Sequence, residues 1–338
     1  MKSSVTILFF VIAIATKLAA QDIHFSQYYS APLTINPALT GSFNGDYRAG
    51  LNYRTQWASV TVPYKTFDIF GDFNLGRKIY NRNYYSMGMN IIADRAGDGA
   101  LTVTKLIASG AYHFILDHAK TNDLSLGAQF GWVQKKIDFT KLYFDSQWND
   151  AGFDTQLSSG ENYKNATTSY PDAALGISYT YNGPKNISAN AGFAIYHLIR
   201  PHDSFYDDAN QLGTRPVFNV GINYLFNDHL SIAPSIYYEA QKKASEFLLG
   251  GMLQYDISKD PSVNTKLYLG FYGRIKDAMI PAAGFEITHW RFIMNYDVNT
   301  SQLKPASNGK GAFEISLIYI GTSKKNNVPG IDLPCPRF

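Results

Sequence analysis

The chain has 338 residues, 45% hydrophobic, 15% aromatic and 17% charged, with a net charge of +3, a mean hydropathy of −0.18 and one cysteine. A near-neutral chain with no run of four Lys or Arg excludes a nucleic-acid-binding surface, which needs clustered cations. A single thiol excludes an internal disulfide or a cysteine zinc site, and the composition is too apolar for a disordered chain yet too polar for a helical membrane protein.

Residues 1–20 read as a cleaved signal peptide. Lys2 supplies the positive start, Val5–Ala15 is apolar apart from Thr6, and Ala19-Ala20 places small side chains before Gln21. Losing Lys2 and Lys17 with this leader leaves a net charge of about +1. No later stretch is long and apolar enough for a transmembrane helix. Residues 21–45 lack alternation and contain Pro32 and Pro37, so a non-strand segment, lying in the periplasm, is expected there.

From residue 46 to 321 the dominant signal is period-two alternation, the signature of strands. Leu124, Leu126, Ala128, Phe130 and Trp132 alternate with Ser125, Gly127, Gln129 and Gly131; Phe218 to Phe226, Leu230 to Tyr238, Leu267 to Phe271 and Phe313 to Tyr319 repeat the pattern. About fourteen such strands are expected, near Asp46–Gln56, Tyr64–Leu75, Tyr84–Arg95, Thr102–Leu116, Asn122–Lys136, Tyr170–Tyr181, Ile187–Arg200, Arg215–Phe226, His229–Gln241, Ser245–Asp256, Asn264–Lys276, Ala278–His289, Trp290–Asn299 and Gly311–Gly321. One face is continuously apolar, whereas the other is Gly, Ser, Asn, Tyr and Gln rather than charged. A soluble sandwich would carry charge on its outer face. The fold expected is therefore all-β: a transmembrane, outer-membrane antiparallel barrel with alternate side chains facing lipid and a crowded semi-polar lumen.

An even strand number puts both termini in the periplasm, with short turns on that side and long loops outside. The connections at 137–169, 201–214 and 300–310 are long on the expected outer side, although 242–244 and Asp277 are short. Tyr and Phe crowd many strand ends, as in interfacial aromatic girdles. Residues 322–338 hold Lys324-Lys325, Pro329, Pro334 and Pro336, a periplasmic tail rather than a strand.

No metalloprotease, nucleophile-elbow, phosphate-loop or dinucleotide motif is present, so the chain reads as non-enzymatic and without a cofactor. His197, His202 and Asp203 are expected to anchor a loop rather than bind metal, and Asp94-Arg95-Ala96-Gly97-Asp98-Gly99 to form a tight turn rather than a calcium loop. Glu239, Arg274, Lys276 and Glu314 fall on the inward side, where solvation of a wet lumen is expected over pairing. Phe144, Trp148 and Phe153 in the longest loop either dock a partner or fold inward as a plug.

Along essentially the whole mature chain, the residues resemble the PorP/SprF family of the type IX secretion system. The resemblance rests on Gln27-Tyr28, Asn36-Pro37-Ala38-Leu39-Thr40-Gly41, Arg54-Thr55-Gln56-Trp57, Asp94-Arg95-Ala96-Gly97, Pro171-Asp172 with Gly176-Ile177-Ser178-Tyr179, His197-Leu198 with Pro201, Tyr296-Asp297-Val298-Asn299-Thr300-Ser301, Phe313-Glu314-Ile315-Ser316-Leu317 and Cys335-Pro336-Arg337-Phe338. It implies an integral protein of the cell outer membrane that supports secretion or surface attachment of cargo with a type B C-terminal domain, gliding adhesins included. It also implies contact with periplasmic, peptidoglycan-associated secretion components. Phe144, Trp148 and Phe153, and Cys335, Pro336, Arg337 and Phe338, are the candidate partner-binding residues. The competing readings are a porin or small-solute transporter, a barrel enzyme, and a soluble secreted β protein.

Overall fold

In the computed structural model, residues 22–60, 62–76, 83–149, 152–154, 156–161, 166–184, 186–206, 209–258 and 264–323 are described. The signal peptide and Cys335–Phe338 lie outside them.

Fourteen antiparallel strands form one closed barrel in which each pairs with its sequence neighbours and the last pairs with the first. They are β1 (Tyr47–Gln56), β2 (Tyr64–Leu75), β3 (Tyr84–Ala96), β4 (Leu101–Ile115), β5 (Asn122–Lys136), β6 (Thr167–Asn182), β7 (Ile187–Tyr196), β8 (Arg215–Leu225), β9 (Leu230–Gln241), β10 (Ala244–Asp256), β11 (Thr265–Arg274), β12 (Ala278–Ile287), β13 (Trp290–Asn299) and β14 (Lys310–Gly321). The seam runs from Tyr47 opposite Gly321 to Gln56 opposite Ala312. Closure leaves no backbone edge unpaired, which hydrocarbon requires.

Strand number and most boundaries match the sequence reading. The clearest difference is at Ile187–Arg200, where β7 stops at Tyr196 because His197 and Arg200 take left-handed backbone conformations, with φ of 59° and 43°. Proline marks two weak points in the wall. The β8–β9 ladder is not continuous between Gly221–Ser235 and Tyr224–Ile232, where Pro234 falls, and the β12–β13 ladder skips Pro281. Neither residue has an amide hydrogen to give.

Alternation sorts the side chains as expected. Phe130, Trp132, Leu269 and Phe271 stand outward and exposed, while Ser125, Gln129, Asn219 and Glu314 point inward and are buried. Loops at 137–166 and 197–214 gather at one end, which we call the long-loop mouth. Both the start of β1 and the end of β14 lie at the other, the short-turn mouth.

The segment before β1 corrects the expectation of a tail outside the barrel. Residues 25–43 are almost wholly buried, and Phe25, Tyr28, Tyr29, Leu33, Ile35 and Leu39 are among the most enclosed apolar side chains. Two 3-10 turns, Tyr28–Ser30 and Pro37–Leu39, flank one helical turn, Pro32–Ile35. This compact plug fills the lumen.

A charge placed on the outward face tests the lipid-facing assignment. Phe130→Arg, at the middle of β5, should cost roughly 2–4 kcal/mol, read by urea unfolding in lipid vesicles. An equal loss for the protein folded in a charge-tolerant aqueous state, or no loss in vesicles, would contradict the outward placement.

Candidate functional site

The plug runs the length of the lumen. At the long-loop mouth, Asp22 contacts Lys105, lies 3.4 Å from His197 Nε2 and 3.7 Å from Arg215, and its amide donates to Gln241 at 3.1 Å. Next along the path, still toward the long-loop end of the wall, the amides of Ser26 and Gln27 each donate to Glu314 at 2.8 Å, and Ser26 Oγ donates to Asp297 at 2.7 Å. Toward the short-turn mouth, Ser125 Oγ donates to Ala38 O at 2.9 Å and Gly41 N donates to Asp72 at 2.7 Å.

Charged groups of the wall close around this path. Arg54 contacts Glu314 and lies 3.4 Å from Asp297, and Arg215 pairs with Glu239 at 2.9 Å. Arg274 lies 3.2 Å from Glu246, 3.3 Å from Asp297 and 2.9 Å from Asp277. Glu239, Arg274 and Glu314 were expected to be solvated in a wet lumen; they are instead buried and paired, because the plug displaces the solvent that would have screened them. Lys276 differs, lying in an exposed turn. Charged hydrogen bonds in such surroundings hold position strongly.

Aromatic packing adds a second grip. Tyr28 stacks on Tyr237 with ring centroids 4.9 Å apart and Tyr29 on Tyr272 at 5.3 Å, and Tyr28 Oη donates to Ser235 at 2.6 Å. Two wall glycines admit the plug backbone. A Cβ on Gly127 would come within 2.3 Å of Ala38 N, and one on Gly176 within 2.0 Å of Asn36 Oδ1. Asn36 in turn caps the following 3-10 turn, accepting from Ala38 N at 2.9 Å, and donates to Ile177 O at 3.0 Å.

His24 sits between two glutamates that face each other across β9 and β10, with Nε2 3.1 Å from Glu246 and Nδ1 4.0 Å from Glu239. These three could hold a metal ion on proximity alone. The geometry fits a bridge better, since each ring nitrogen faces a different carboxylate and each carboxylate also faces an arginine. A metal set needs converging lone pairs.

The histidine singled out in the sequence proves to be an anchor. His197 Nδ1 lies 2.8 Å from Asp172. Burial opposes its charged form, but Asp172 and Asp22 outweigh burial and raise its pKa above the ordinary value. Asp203 nearby pairs with Lys135 at 2.6 Å, tying the β7–β8 loop to β5. His202 bridges Gln211 across the same loop.

Of the loop aromatics, Trp148 and Phe153 come together, centroids 5.1 Å apart, and both are about half exposed, at 51% and 53%. Tyr143, which sequence reasoning passed over, joins them at 5.3 Å from Phe153. Phe144 stands apart, half-buried, its amide bonded to Gln147. These rings do not enter the lumen; residues 25–43 occupy it. The plug itself was missed, although seven large apolar residues between Phe25 and Phe43 are a signal that such a tail would be poorly suited to water.

The model of the family described as type IX secretion system membrane protein PorP/SprF matches residues 17–319. Among solved structures, a monoaromatic hydrocarbon channel, the TodX deltaS2 mutant, is similar with a TM-score of 0.50 and 9% identity, covering 86% of this chain and 93% of that one. The toluene transporter TbuX of Ralstonia pickettii is similar at 0.48 and 12%, covering 86% and 92%. A FadL homologue of Pseudomonas aeruginosa follows at 0.46 and 10%, covering 84% and 92%. At 9% identity, the likeness to the TodX mutant is one of barrel fold alone. No curated protein sequence matches.

Two outcomes follow from the anchor geometry. Glu314→Gln, which strips the charge from a carboxylate holding two plug amides and Arg54, should destabilise the fold by about 3–5 kcal/mol, measured by denaturant titration with heat-modified mobility as the folding check. The raised pKa of His197 gives a contribution present in full below its unfolded value, about 6.5, and lost as pH rises through the folded value. Amide exchange in residues 22–27, corrected for intrinsic rate, should therefore accelerate over that rise in the native protein and stay flat in His197→Asn.

Proposed function

The chain belongs to the PorP/SprF family of type IX secretion system membrane proteins, and on that premise we propose that it is a non-enzymatic outer-membrane partner that holds secreted cargo at the cell surface. The signal peptide at 1–20 is cleaved on export, the short-turn mouth faces the periplasm and the long-loop mouth faces outward. The cargo bears a type B C-terminal domain of the kind found on gliding adhesins. On the periplasmic side the chain meets peptidoglycan-associated components of the secretion machinery, with Cys335, Pro336, Arg337 and Phe338 as the candidate contacts.

The plugged lumen carries this reading. A solute channel needs a path, and here residues 25–43 fill the barrel with buried polar and aromatic contacts to the wall. What remains for function is surface, above all at the mouths. Trp148 and Phe153, exposed and packed edge to face on the longest loop with Tyr143 tilted against Phe153, have the character of interface anchors: large and rigid. Phe144 then acts by shaping the loop rather than by contact.

Pull-down of the tagged protein in mild detergent, with bound chains identified, tests the proposal. Cargo with a type B domain should co-purify, and Trp148→Ser with Phe153→Ser should lower its recovery about tenfold or more, the loss expected of two interface anchors. If no cargo is bound, secretion is unaffected by deletion, and the intact protein conducts ions in a planar bilayer, the small-solute transporter reading replaces this one.

A further inference from the structure

Where the long-loop mouth meets the lipid-facing wall, an open cleft of about 410 Å³ lies between the β7–β8 loop and the turn from β9 to β10. Arg200 and Lys242 line it, and both are exposed, as is the adjoining Lys243. Among the described residues none of the three is paired with a carboxylate; Lys242 Nζ donates to Asn210 Oδ1 at 3.3 Å. The acids of the strands below are turned away. Glu239 and Glu246 are buried in the lumen against Arg215 and Arg274, and Asp203 holds Lys135. The positive charge is also held in place, since the stem of Lys242 lies on Gly213, where a Cβ would come within 2.6 Å of its Cγ. Arg200 and Lys242 both stand on left-handed backbone, with φ of 43° and 51°, a conformation that carries a cost for any residue with a Cβ and that glycine would take freely.

Register fixes the height of this cleft. On β7 to β10 the outward side chains Phe193, Phe218, Tyr238 and Phe247 stand opposite one another and form one exposed aromatic row. Rings of this kind mark the boundary between hydrocarbon and headgroups. At the next outward position toward the long-loop mouth, β8, β9 and β10 carry the smaller Pro216, Ala240 and Ser245, and the first two line the cleft. The cleft therefore opens directly above the rings, at the level of lipid headgroups. Leu198 and Ile199 add exposed apolar surface just before Arg200. We propose that this cleft binds the phosphate headgroup of an anionic membrane lipid, with Arg200 and Lys242 on the phosphate and the acyl chains laid along the aromatic row. An arginine offers a phosphate two parallel donors and a lysine a point charge, and basic side chains at this level attract anionic lipid. An acidic peptide would meet the same charge but would make no use of the lipid-facing rings beneath it. The site needs only a membrane at the long-loop mouth and stands independently of the cargo.

Native mass spectrometry of the purified protein, stripped of lipid in detergent and then titrated, tests the site. The first phosphatidylglycerol should bind about tenfold or more tightly than the first phosphatidylcholine, whose choline cation offsets its phosphate. Arg200→Gln with Lys242→Gln should erase that preference. Lys276→Gln with Lys304→Gln, which removes two exposed cations from another sector of the same mouth, should leave it intact. Inorganic phosphate at equal concentration should not displace the lipid, because it has no chains to lie on the rings. Heat-modified mobility confirms that each variant is folded. Equal affinity for the two lipids, or a preference that survives loss of Arg200 and Lys242 or falls as far with Lys276 and Lys304, would overturn the proposal. So would displacement by free phosphate, or by an oligoglutamate peptide, which would assign the cleft to an acidic protein segment.

Discussion

Every backbone amide and carbonyl at membrane depth must find a partner within the protein, and that requirement closes the sheet upon itself. The pairing of β1 with β14 meets it. Closure has a second effect, because diameter grows with strand number and a ring of fourteen is wider than inward side chains can fill alone. A lumen of that width must be wet, open or occupied. Here a stretch of the same chain occupies it, and the inward faces are composed accordingly: small or glycine where the backbone of the plug comes close, ionic where its amides need acceptors.

The strands were legible because each obeys a local rule. Alternation in Leu124–Trp132 or Phe313–Tyr319 is visible within about ten residues and follows from one wet-side and one lipid-side face. The end of β7 was not legible, since Ile195-Tyr196-His197-Leu198 continues an apolar pattern and only the backbone turn at His197 breaks it. The plug was legible in composition but not in place. Ser26 meets Glu314 across 288 positions, and no periodicity within residues 22–44 points to so distant a partner. The same distance explains why inward Glu239, Arg274 and Glu314 read as solvated: their neighbours come from segments far apart in sequence.

Several of the short motifs that carry the family resemblance acquire a common physical meaning from the fold. Gln27-Tyr28 and Asn36–Gly41 are the plug. Arg54, Asp297 and Glu314 form the ionic seat beneath Ser26, and Asp172 with His197 anchors its upper end through Asp22. Scattered along the sequence, they meet in one contact network. The resemblance is thus, in large part, a likeness in how the barrel is filled.

Glu314 belongs to β14, the last strand to be made and the one that completes the ring. It is also the acceptor for Ser26 and Gln27 at the other end of the chain. One carboxylate thus ties the two ends of the chain together: the strand that closes the wall also carries the acceptor for the plug, and a closed wall without the plug would leave Glu314 and Asp297 facing Arg54 around a hollow centre.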